Sequence, residues 1–171
     1  MEAYINMRGC FLNGALHWTD MNSTNTGTTI RSFDFAQEKF RFFSLIKHKG
    51  CSMGTGVGTT GDRLFFHTSC IDHLNHPAGF TIWVMMEYGV DQSWTILAKI
   101  RLEIFPPYVI RLKPISIMEE DDEVLMESSK GDLILYIPEQ DICRIVLNTP
   151  ARNAQVVLYV ETLVLPVIGS G

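Results

Sequence analysis

The sequence predicts an all-β fold of antiparallel sheets, and three observations carry that expectation. The apolar residues fall in short alternating runs rich in β-branched and aromatic side chains. Gly, Asn, Asp or Pro bounds nearly every run, which is the punctuation of strands and turns. The runs also recur in a loose order along the chain: a glycine turn, an apolar strand, then a hairpin with a polar tip.

In chain order, the first hairpin is "CFLNGALHW" (Cys10–Trp18), because Asn13-Gly14 fills a two-residue turn whose positions both favour positive φ. "TIRSFDF" (Thr29–Phe35) and "KFRFFSL" (Lys39–Leu45) read as strands about an "FAQE" turn. "GTGVGTTGDR" (Gly54–Arg63) reads as a loose connection whose last glycine opens the strand of "GDRLFFH" (Gly61–His67). "CIDHLNHPAG" (Cys70–Gly79) joins two strands, with a Pro77–Gly79 turn, and "TIWVMMEYG" (Thr81–Gly89) and "SWTILAKI" (Ser93–Ile100) form the next hairpin. "VLME" (Val124–Glu127), "DLILYI" (Asp132–Ile137), "DICRIVL" (Asp141–Leu147) and "QVVLYVETLV" (Gln155–Val164) complete the strands. "NGALHW", "GDRLFFH" and "KGDLILY" each set a Gly turn before a Leu-containing strand, as if three units began there. Units of three or four strands predict propeller-like (kelch-like) blades, with two packed antiparallel sheets as the alternative.

At 171 residues, 46% hydrophobic and 19% charged, the composition is that of one globular domain, expected over 1–171. The net charge of −5 argues against sequence-independent nucleic-acid binding, which needs a basic face for phosphates. No apolar run reaches transmembrane length, and the first residues lack the layout of a signal peptide. The four scattered cysteines then read as free thiols in a reducing compartment, cytoplasm or nucleus.

The motifs that tempt a chemical reading are few. Gly56-Val57-Gly58-Thr59-Thr60-Gly61 matches a dinucleotide-loop pattern, but a strand rather than a helix follows it and Asp62 would repel phosphate. Cys70, His73 and His76 have ligand chemistry suited to zinc, with Asp72 or His67 as a fourth candidate; a polar inter-strand loop explains the same residues. His17 beside Trp18 reads as a hairpin in which Trp18 fills the core and His17 packs at its edge. No G-x-S-x-G elbow occurs, and Glu87, Asp91 and Glu103 suit turns and solvent faces better than a pair of glycosidase carboxylates. Two features suit a protein partner instead: Tyr108, in the proline-stiffened "FPPY" loop, and the acidic run Glu119, Glu120, Asp121, Asp122 and Glu123.

"FLNGALHW", "IRSFDFAQEKF", "WVMMEYGVDQSWTILAKI", "GDLILYIPEQDICRIVL" and "VLYVETLVLP" resemble, in that order and over nearly the whole chain, the F-box-associated domain of plant F-box proteins. The resemblance implies a non-catalytic protein-binding module, the target-recognition part of a cullin-type ubiquitin ligase subunit, without metal or cofactor. It implies a protein target, and a ligase adaptor only where an F-box is supplied elsewhere. The F-box and the family's early β repeats are not recognised here, so a partial domain is expected. Trp18, Trp83, Trp94 and Tyr159 should then be core, and the loops Met21–Gly27, Lys47–Gly61 and Cys70–Gly79 should choose the partner. A small-molecule or glycan-binding β domain is the alternative.

Overall fold

The computed structural model describes residues 9–21, 28–44, 51–71, 74, 76–105, 112–118 and 120–148. Among the described residues, twelve strands form three four-stranded antiparallel sheets, each in sequential order, as the blade reading expects; the expected strand Gln155–Val164 lies outside the described residues. Sheet I comprises β1 (Cys10–Leu12), β2 (Ala15–Met21), β3 (Thr28–Asp34) and β4 (Lys39–Ser44). Sheet II comprises β5 (Cys51–Thr60), β6 (Arg63–Ile71), β7 (Pro77–Met85) and β8 (Trp94–Arg101). Sheet III comprises β9 (Leu112–Ile117), β10 (Val124–Ser128), β11 (Leu133–Ile137) and β12 (Ile142–Leu147). Single turns of 3-10 helix at Asp91–Ser93, Leu102–Ile104 and Pro138–Gln140 are the only helical pieces among the described residues.

Sheet II lies between the other two, and its period-2 alternation shows why. On β6, Leu64 and Phe66 face sheet I, where they pack with Trp83, Met85 and Trp94 against Leu12, Ile30 and Phe43. The alternate residue Phe65 faces sheet III, joining Phe80, Ile82, Val84, Ala98 and Ile100 against Ile117, Val124, Met126, Ile134 and Tyr136. Each such side chain contributes about 1.5–3 kcal/mol when fully buried. The first strand of sheet II, β5, touches β1 and β2 on one side and β9 on the other. First strands are thus innermost and β4, β8 and β12 outermost, as in a propeller.

The glycine run is not the loose connection its composition predicts. Gly54, Gly56 and Gly58 lie inside β5, a ten-residue strand. Gly56 pairs across the ladder with His67, and Gly58 with Phe65. A Cβ at Gly58 would strike the Phe65 ring, and one at Gly56 would strike His67 Nε2. The glycines are the space into which two large β6 side chains lean, a recognised use of glycine within a strand. Only Gly61, at φ 53°, makes a turn, joining β5 to β6. Pro77–Gly79 is likewise strand rather than turn, and a side chain at Gly79 would collide with the Ile100 carbonyl.

The repeat also shifts phase. Asn13-Gly14 and Gly61-Asp62 both join the first and second strands of their sheets, whereas Gly131 lies between the second and third strands of sheet III. The equivalent of the first two turns in sheet III is the acidic segment between β9 and β10.

Two outcomes follow. Phe65 is fully buried and its ring has nowhere to swing, so Gly58→Ala should lower stability by about 1–3 kcal/mol in urea titration, the range for overpacking. His67 is buried and held from 6.5 down to about 4, first by desolvation and then by the charge of Lys113. Between those values the unfolded imidazole binds a proton and the folded one does not. The stability is therefore complete above pH 6.5 and declines as pH falls toward 4, by up to about 1.4 kcal/mol per pH unit. Urea midpoints measured across that window should fall less steeply in His67→Gln.

Candidate interaction surfaces

Adjacent strands alternate in direction, so in each sheet the first-to-second and third-to-fourth turns share one end. In sheet I the Phe35 N–H donates to the Gly14 carbonyl at 3.2 Å, tying its two turns together. Thr60 Oγ1 donates to the Ile117 carbonyl at 2.9 Å, aligning the ends of β5 and β9. That bond sets the β5–β6 and β9–β10 turns side by side.

The acidic turn belongs to this set. Glu120, Asp121 and Asp122 are exposed and Glu123 is half-buried. The Met118 N–H donates to the Glu123 carbonyl at 2.8 Å, and Asp122 takes the left-handed conformation at φ 52°. Met118, Glu120, Asp121 and Glu123 line an open depression of about 470 Å³. Four carboxylates so close together set up a negative field suited to drawing in a basic partner. Glu119, the fifth acid of the run, and Tyr108 lie outside the described residues.

Among the described residues the other sequence candidates form no metal-binding group, and Asp72 lies outside them. His73 lies outside the described residues, His76 is exposed, and Cys70 Sγ is 3.4 Å from Thr81 Oγ1. Glu87 sits in the β7–β8 turn, where its N–H and carbonyl bond the Ser93 hydroxyl. Glu103 is exposed, and Asp91 accepts the Ser44 N–H at 3.1 Å. This last bond has a counterpart in the next sheet. Asp141, also in a third-to-fourth turn, accepts Arg101 Nη2 at 3.1 Å and the Tyr136 hydroxyl at 3.1 Å. In both cases an aspartate of one sheet clasps the end of the preceding sheet's outermost strand.

His17 and Trp18 exchange the places expected of them. His17 is wholly buried, facing sheet II, and Trp18 is half-buried on the opposite face. The register decides it: Ala15, His17 and Thr19 share the inner face of β2, so Trp18 must point outward. His17 Nε2 shares a hydrogen bond of 2.9 Å with the Tyr88 hydroxyl, and its ring lies near those of Phe43 and Tyr88. Burial pushes the His17 pKa down. The pair ties sheet I to the β7–β8 turn. Trp83 and Trp94 are core as expected, while Tyr159 lies outside the described residues.

A surface that the motif reading missed is the outer face of sheet I. Cross-strand neighbours Phe11, Leu16, Phe33 and Phe40 form one row across all four strands, and Trp18, Arg31 and Phe42 form the next. Phe33 contacts Phe35 and Phe40 with ring centroids at 5.4 and 5.0 Å, Phe11 contacts Phe35 at 6.2 Å, and Trp18 stands edge-on to Phe40 at 6.3 Å. Arg31 lies over Phe42 at 5.2 Å and pairs with Asp20. The signal was present in the sequence: Phe40, Phe42 and Phe43 place apolar residues on both faces of one strand.

A family model described as the F-box associated beta propeller domain matches residues 1–165. An F-box/kelch-repeat protein of Arabidopsis thaliana is 28% identical over 130 residues, which cover 75% of this chain and 32% of that protein. Jacalin-related lectin 37 of the same plant is 30% identical over 97 residues, covering 52% of this chain and 20% of the lectin. The chain thus spans about a third and about a fifth of the length of these curated relatives.

Tyr88→Phe removes the partner of a buried imidazole nitrogen, which should cost about 1–3 kcal/mol in chemical denaturation. Loss of that size would mark the His17–Tyr88 pair as a structural tie between sheet I and the β7–β8 turn.

Proposed function

This chain belongs to the F-box-associated β-propeller family, and we propose that it is the target-recognition module of a cullin-type ubiquitin ligase subunit. The observation that carries the reading is the family match over residues 1–165, supported by the similarity to an F-box/kelch-repeat protein. In this reading the domain selects a protein target and performs no chemistry, and an F-box makes the contact with the ligase adaptor. The whole of 1–171 acts as one β domain, working in the cytoplasm or nucleus. Among the described residues no helix is long and apolar enough to cross a membrane.

The arrangement of the sheets supports a division of labour. The motif residues Trp83 and Trp94 are buried between sheets, so they specify the fold. The exposed turns are left to meet a partner, as in other proteins where loops on a rigid scaffold carry recognition. Of these, the acidic turn around Glu120–Glu123 offers the densest charge, suited to a target with a basic surface. Carbohydrate recognition is favoured only by the similarity to a lectin. The described depression at the acidic turn is lined by Met118 and three acids, without the aromatic platform on which a sugar would stack.

Fusing an F-box to this chain in a reconstituted ligase tests the reading. Proteins captured by the chain should gain ubiquitin only when the fusion is present. Captured proteins that acquire none would overturn it. Reversing Glu120, Asp121 and Asp122 to Lys should slow association with a captured basic target by about tenfold or more at low salt, an effect that fades as salt rises. An unchanged association rate would remove the acidic turn from the interface.

A further inference from the structure

The four cysteines are scattered in the sequence, yet strand pairing sets two of them opposite one another. Cys51 opens β5, Cys70 is penultimate in β6, and their Cα atoms are partners in the ladder. Directly opposed residues of antiparallel strands share a face of the sheet, with Cα atoms about 4.5 or about 5.5 Å apart. Both spacings lie within the span of about 4.4–6.8 Å that a disulfide bridges. Cys10 and Cys143 have no such counterpart, being opposed by His17 and Tyr136. Burial pushes the Cys10 thiol up to about 12 and the Cys143 thiol upward, and a thiol reacts as its thiolate, so both react slowly. Cys70 is half-buried near the end of its strand, its Sγ 3.4 Å from Thr81 Oγ1.

We propose that Cys51 and Cys70 form a redox-sensitive pair, closing to a cross-strand disulfide when a peroxide oxidises them. One thiolate attacks the peroxide and breaks its O–O bond, giving a sulfenic acid and a hydroxide that takes up a proton as water. The second thiolate attacks the sulfenic sulfur, the S–S bond forms, and the departing hydroxide takes up a proton as a second water. Two thiols and one hydrogen peroxide thus become one disulfide and two waters, the two electrons lost by the sulfurs going to the peroxide. Exchange with a thiol such as reduced glutathione reopens the bond. The placement of the pair gives the bond a structural effect. The step from Cys51 to Thr55 on β5 is answered only by the step from Cys70 to Thr68 on β6, so a bulge interrupts the ladder between them. A disulfide fastens β5 to β6 on the far side of that interruption and closes the hairpin that turns at Gly61 into a ring.

This inference goes beyond target recognition and does not depend on it. The test treats the reduced chain with hydrogen peroxide, alkylates the remaining thiols in urea and digests without reduction. Trypsin cuts after Lys49, Arg63 and Lys99, so the bond joins two separate peptides. Mass spectrometry should find them linked, two hydrogens lighter than their sum, with Cys10 and Cys143 recovered in alkylated form. The oxidised chain should melt about 5 °C or more above the reduced one, as closing a loop of about twenty residues implies. Cys51→Ser and Cys70→Ser should each abolish the link and the shift, whereas Cys143→Ser should keep both. Oxidation in concentrated urea, which removes the ladder, should scatter links among the four cysteines. Recovery of Cys51 and Cys70 unlinked, as thiols or as sulfinic or sulfonic acids, overturns the proposal. So does linkage chiefly to Cys10, Cys143 or a second chain, a link that forms as selectively in urea, or one that leaves the melt unchanged.

Discussion

The structure depends on one sheet being apolar on both faces. Sheet II must satisfy sheet I with Leu64, Phe66, Trp83, Met85 and Trp94, and sheet III with Phe65, Phe80, Ile82, Val84 and Ile100. A strand with bulky residues at every position has no polar face to give to water, so it is stable only in a middle layer. The glycines of β5 complete this constraint. They remove side chains where Phe65 and His67 cross toward the innermost strand, letting two β6 residues fill the gap beside sheet III. Thr60 then bonds the Ile117 carbonyl at the end of the same strand. Without the glycines, β5 and β6 could pair but sheet III could not close over them.

Much of this was legible in the sequence, for identifiable reasons. Turn residues whose φ is positive are spelled by chemistry: Asn13 and Gly14 stand at φ 50° and 75°, and Gly61 at 53°, where the hairpins were expected. The "FAQE" turn is where the pattern places it, with Asp34 Oδ1 accepting the N–H groups of Ala36 and Gln37. What failed was whatever depended on the neighbour across a ladder. A glycine-rich strand looks like a loop until Phe65 and His67 stand opposite it. Whether His17 or Trp18 faces the core is a question of register, and one residue of phase reverses the answer. The third repeat misled because Gly131 marks a turn of the same chemistry one hairpin later.

The candidate site was legible in part. The acidic run is visible as sequence, and the hairpin does gather Glu120, Asp121 and Glu123 around Met118. The aromatic face was hidden for the opposite reason. Its members are spread over four strands, from Phe11 to Phe42, and only the cross-strand pairing makes them neighbours. Local patterning finds a turn; it does not find a surface assembled from residues thirty apart.

The aspartate clasps give the stack a direction. Asp91 of sheet II holds the last residue of β4, and Asp141 of sheet III holds the last residue of β8, so each sheet secures the one before it. Coupling of this kind runs between nearest neighbours, as in linear repeat arrays. Loosening of the Asp141 turn would release the margin of sheet II before disturbing sheet I. Each clasp joins an exposed turn to the margin of the neighbouring sheet, so a substitution at Asp91 or Asp141 is felt in two blades at once.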